Sequence, residues 1–142
     1  MRLAAFERLV FTPVFATLLS QRRDGLILVG VGAIQVGLHL AGLPGWQCPI
    51  KAITGLPCPG CGLTEAVGDL LHGDWRGAMA AHAFAPLFLL AFILLLIVSV
   101  LPEAARQRTV AIIATCEQRT GLMAWVLFSL MVYWGFRLFG LV

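Results

Sequence analysis

Cys58 and Cys61 stand at a CxxC spacing inside Thr54-Gly55-Leu56-Pro57-Cys58-Pro59-Gly60-Cys61-Gly62-Leu63-Thr64, with Cys48 a short way upstream and His72 and His82 downstream. Three chemistries fit such a turn. A thiol pair can exchange with disulfides, and Cys61 lies near the start of a helical pattern, where the helix dipole and free N–H groups favour a thiolate. CPxCG is also the knuckle of zinc ribbons, whose glycine lets backbone N–H groups reach the sulfurs. A knuckle brings two of the four ligands, and Cys48, His72 and His82 are the candidates for the rest, so the metal in this reading is zinc or another transition metal. The third chemistry is a disulfide between Cys58 and Cys61, or between Cys48 and one of them, stapling a loop with little core of its own. The disulfide is the expectation for these cysteines, with no cofactor. Haem attachment of the c type is excluded, because Gly62 stands where that motif needs histidine. Pro57, Pro59, Gly60, Gly62 and Thr64 are the residues that shape the turn.

The elements that position this turn are apolar. Of 142 residues, 60% are hydrophobic and 12% charged, about half the charged share of a soluble domain. The sequence therefore reads as an all-α integral membrane protein in one domain. Its net charge of +3 comes from arginines beside apolar runs rather than from a stripe suited to nucleic acid. Residues 1–24 carry Arg2, Arg8, Arg22 and Arg23 around a short run broken by Pro13, which suits a cytoplasmic or interfacial helix better than a cleaved signal peptide. Residues 25–45 form the first expected transmembrane helix. Gly32, Gln35 and His39 share one face of it, as a surface for packing against other helices.

Residues 46–82 form the expected extracytoplasmic cysteine loop with its amphipathic helices. Leu63, Ala66, Val67, Leu70 and Leu71 make an apolar stripe opposite Glu65, Asp69 and His72, the pattern of a short interfacial helix. Asp74 is placed to cap a second helix from Trp75. Residues 83–101 and 121–142 are the second and third expected spans, separated by a polar cytoplasmic loop over residues 102–120 that carries Cys116 as a bystander thiol. Tyr133, Trp134 and Arg137 suit an interfacial belt with a snorkelling arginine. The arginines of residues 1–24 and 102–120, against only Lys51 and Arg76 between the first two spans, put the N-terminus in the cytoplasm and the cysteine loop outside a bacterial inner membrane.

Cys48-Pro49, the eleven-residue stretch around Cys58 and Cys61, Leu70-Leu71-His72-Gly73-Asp74 and the small-residue helix running to Pro86 together resemble the bacterial membrane family DUF2752. The chain has Thr64-Glu65-Ala66 where that family usually has Thr-Arg-Ala, and His82-Ala83 near its usual Asn-Pro. The resemblance implies a helical membrane fold and no assigned activity. With no paired acid, base and nucleophile in view, the expected function is a small non-catalytic membrane protein, an accessory subunit whose partners are the lipid bilayer and other membrane subunits. The alternative is a thiol-redox or metal-binding membrane protein acting through the CPGC turn.

Overall fold

The computed structural model describes residues 12–140, and among these the chain is entirely helical. The segment before residue 12, on which the signal-peptide alternative bears, lies outside the described residues. Eight helices follow one another: α1 (Val14–Ser20), α2 (Arg22–Leu40), α3 (Pro49–Thr54), α4 (Leu63–Leu71), α5 (Trp75–Ala81), α6 (Ala85–Val100), α7 (Glu103–Thr120) and α8 (Leu122–Leu138).

Helix α2, with 19 residues, is long and apolar enough to cross a membrane by itself. The other two expected spans are shorter than their sequence windows. Helix α6 has 16 residues and α8 has 17, or roughly 24–26 Å at 1.5 Å per residue, against a hydrocarbon core of about 30 Å. Each reaches spanning length only with the helix before it: α5 and α6 are bent by 99°, α7 and α8 by 64°. Three spans therefore arise only if each bent pair counts as one. Residues 102–120 also differ from expectation, since Glu103–Thr120 is a continuous helix and not a loop. Its mixture of Ala, Arg and Gln has good helix propensity, while its apolar positions are too scattered to advertise a face.

Helices α2 and α6 run side by side because two glycines of α2 admit side chains of α6. A Cβ at Gly25 would lie 2.6 Å from the Ser99 hydroxyl, and one at Gly32 would lie 2.5 Å from the Phe92 ring. Leu19, Val29, Leu95 and Val98 fill the core at that end. A second small core forms under the cysteine turn, where the methyl groups of Ala66, Ala78 and Ala85 let α4, α5 and α6 meet closely. Leu63, Val67 and Leu70 pack onto it, whereas Leu71 is exposed. Asp69 is half-buried beside Gly77 of α5 instead of facing outward. The Asp74 carboxylate caps α5 as expected, accepting the Gly77 N–H at 2.9 Å.

Helix α1 packs Leu19 into the core between α2 and α6, and its polar backbone ends are held by α7. Its N-cap is Pro13, which offers no capping side chain, and the Glu117 carboxylate takes that role by accepting the N–H groups of Phe15 at 3.1 Å and Ala16 at 3.0 Å. At the other end of α1, Arg106 donates to the carbonyls of Ser20 at 2.6 Å and Leu19 at 3.4 Å, and pairs with Glu103 at 2.8 Å. An anion thus sits at the positive end of the helix and a cation at the negative end. This charged layer and the cysteine turn occupy opposite ends of α2 and α6, since Gly25 meets Ser99 at one end while His39 reaches Gly68 of α4 at the other.

Candidate functional site: a three-thiol turn

Three sulfurs converge. The Sγ atoms of Cys48, Cys58 and Cys61 all lie within 4.8 Å of one another, each thiol half-buried. Cys48 is the N-cap of α3, a six-residue helix with Pro49 at its start and Gly55 at its end. The turn over residues 58–61 closes through the Cys61 N–H on the Cys58 carbonyl at 3.0 Å, and the Leu63 N–H on the Gly60 carbonyl at 3.1 Å leads straight into α4. Gly62 joins turn to helix with φ +89°, and a Cβ there would approach the Ala81 carbonyl oxygen to 2.9 Å. Only glycine meets both demands without displacing the turn.

The sulfurs are thiols in the structure, with Cys58 and Cys61 Sγ 3.1 Å apart and Cys116 exposed on α7. Backbone N–H groups face them: Cys58 N–H donates to Cys61 Sγ at 3.1 Å, Gly60 N–H faces Cys58, and Lys51 N–H faces Cys48. The three are not equivalent. The Lys51 N–H, helped by the Cys58 thiol, lowers Cys48 below the ordinary thiol range. Burial, with the hydrogen bonds to Cys61 and Cys48 added, pushes Cys58 up to about 11.

Neither histidine joins the sulfurs. His82 is fully buried, and its ring is committed on both sides. The Phe84 N–H donates to Nδ1 at 3.3 Å, so the ring proton sits on Nε2, which donates to the Pro59 carbonyl at 2.8 Å. His72 spends Nδ1 on the Gly68 carbonyl at 2.9 Å, at the far end of α4. Of the packing face on α2, Gly32 meets Phe92, Gln35 turns back to accept the Trp46 N–H at 3.2 Å, and His39 lies against Gly68. Pro57 and Pro59 each offer a carbonyl to a donor from another part of the chain, and Thr64 sits half-buried in the first turn of α4.

Helix α8 supplies what the sequence did not reveal. Trp134 Nε1 donates to the Pro57 carbonyl at 2.7 Å, and Arg137 Nη1 donates to the Cys61 carbonyl at 2.6 Å. Arg137 therefore reaches into the turn. The available signal was one arginine in an otherwise uncharged run, on the same helical face as Trp134; such a residue is a site candidate by default.

Fold and site together define an all-helical protein with at least one helix able to cross a membrane and a three-thiol turn at one end. Residues 48–97 match the family model described as "Protein of unknown function (DUF2752)", so the resemblance read from the motifs is shown over that segment. The match starts at Cys48 and ends inside α6, taking in the three thiols but not Trp134 or Arg137. No curated protein and no solved structure matches the chain.

Proposed function

We propose that this chain is an integral membrane protein that works by binding a thiophilic transition metal ion, zinc being the simplest case, at Cys48, Cys58 and Cys61. The observation that carries the reading is the convergence of three sulfurs within 4.8 Å, each facing a backbone N–H group. Tetrahedral zinc with Zn–S bonds of about 2.3 Å wants sulfurs roughly 3.8 Å apart, a spacing that small side-chain adjustments supply here. An accessory subunit that merely packs against a larger complex would have no use for three mutually facing thiols.

In this reading α2, α6 and α8 cross a bacterial inner membrane, with α5 and α7 bent away from the spans at its two surfaces. The exposed leucines, isoleucines and phenylalanines of α2, α6 and α8 meet lipid or neighbouring subunits. The arginine-bearing α1 and α7 face the cytoplasm and the thiols face outside, as the arginine asymmetry requires.

The test is elemental analysis of the protein purified in detergent without chelators, beside Cys48→Ser and Cys58→Ser. About one metal ion per chain, lost in Cys58→Ser, is the expected result. A metal-free protein with a disulfide among Cys48, Cys58 and Cys61 by mass spectrometry would replace the reading with a stapled loop. A mixed disulfide with a second protein, trapped in Cys61→Ser, would replace it with thiol exchange.

A further inference from the structure

We infer that Trp134, His82 and Arg137 are positioning residues for the thiolate centre: by holding the carbonyls of Pro57, Pro59 and Cys61, they fix the turn whose Cys58 and Gly60 N–H groups are aimed at the sulfurs. The inference rests on the metal reading above.

The geometry is that of the planar peptide. The C=O of one residue and the N–H of the next belong to one rigid unit and point in opposite directions, so anchoring the carbonyl sets the N–H. Trp134 anchors the Pro57 carbonyl at 2.7 Å, and the N–H of that same peptide, Cys58 N–H, donates to Cys61 Sγ at 3.1 Å. His82 anchors the Pro59 carbonyl at 2.8 Å, and the N–H of that peptide, Gly60 N–H, faces Cys58 Sγ. Arg137 anchors the Cys61 carbonyl at 2.6 Å, fixing the peptide into Gly62 that starts α4. Carbonyls of alternate residues thus point into donors, while the Cys58 and Gly60 N–H groups point towards the thiols. Arg137 adds a positive charge, its Nη2 lying 3.3 Å from where a Gly62 Cβ would be, beside ligands that carry negative charge once metallated.

Loss of an outer-shell partner lowers metal affinity by about 10–100-fold in characterised sites, and that is the scale expected here. The experiment measures zinc affinity by chelator competition, and the sulfur-to-cobalt charge-transfer band after Co(II) substitution, on the full chain in detergent. The variants are Trp134→Phe, which keeps an aromatic ring and removes the N–H, Arg137→Lys and Arg137→Gln. Ser129→Ala, earlier on α8 where the hydroxyl bonds only the Trp125 carbonyl at 2.8 Å, is the control for damage to the helix.

Trp134→Phe and Arg137→Gln are expected to weaken zinc binding about tenfold or more and to shift the cobalt band, with Arg137→Lys in between and Ser129→Ala unchanged. Wild-type affinity and an unshifted band in both Trp134→Phe and Arg137→Gln would overturn the inference while leaving the metal reading intact. Equal losses in Ser129→Ala would also overturn it, because the effect would then belong to the helix and not to the clamp. A wild-type protein that binds neither zinc nor cobalt would defeat the metal reading itself.

Discussion

Helix α1 and the cysteine turn pose the same problem, a short stretch of backbone with unpaired polar groups beside apolar helices, and the chain solves it in two ways. At α1 the solution is two-sided: Glu117 accepts from N–H groups at one end and Arg106 donates to carbonyls at the other. At the cysteine turn it is one-sided. His82, Trp134 and Arg137 meet the turn as donors, they take only its carbonyls, and the N–H groups of Cys58 and Gly60 are left to face sulfur. A device that serves both ends of a helix holds a fold together, whereas one that leaves donors pointing at a cluster of thiols suits a negatively charged ligand set.

Breaking the two-sided device should have the largest effect on stability and the smallest on the thiols. Glu117→Ala strands one buried and one part-buried N–H group that now bond a carboxylate, and hydrogen bonds to charged groups contribute about 1.5–3 kcal/mol each. The expected loss is roughly 3 kcal/mol in reversible denaturation in mixed micelles, with metal content unchanged. Glu117→Gln, which keeps an acceptor oxygen, should recover about half. A fall in metal content with Glu117→Ala would show that the two ends of the molecule are coupled and that the contrast drawn between them is false.

Gly62→Ala tests the other side and should cost somewhat less. A non-glycine residue in the left-handed region costs about 1–2 kcal/mol, and here the methyl would also press on the Ala81 carbonyl. A stability loss of about 2 kcal/mol is expected together with weakened metal binding, measured by the same denaturation and by chelator competition. Full metal affinity in this variant would mean that the turn tolerates a shift the structure says it does not.

The difference between the two regions also explains what could be read beforehand. The thiol cluster was legible because Cys58 and Cys61 share one turn and Cys48 lies close in sequence, and the Asp74 cap was legible because capping is local. Glu117 and Arg106 were not, since their partners lie some hundred residues away and nothing local distinguishes them from solvated charges. The Arg137 contact is hidden for a related reason: an arginine near the end of an apolar run carries the same sequence signature whether its partner is water or a carbonyl of another segment. The polarity of residues 102–120 suggests a loop, whereas their helix propensity matches the helix that forms. The two short apolar helices were read too long, since hydropathy windows cannot locate the bends before α6 and α8.

The smallest change that sharpens the comparison alters no residue. Metal-free, reduced protein treated with a limiting amount of a thiol-alkylating reagent near neutral pH should react in an order set by how each thiol is held, because the thiolate is the attacking species. Cys48 lies below the ordinary thiol value on account of the Lys51 N–H, so more of it is ionised at a given pH. Cys58, raised to about 11 by burial and its thiol neighbours, should hold about a hundredfold less thiolate than an ordinary thiol two units lower. Peptide mapping by mass spectrometry should therefore find Cys48 modified first, and Cys58 slow until the pH rises towards its own value. Modification of Cys58 ahead of Cys48 would mean that the Lys51 N–H and the burial of Cys58 do not set the order of the thiols.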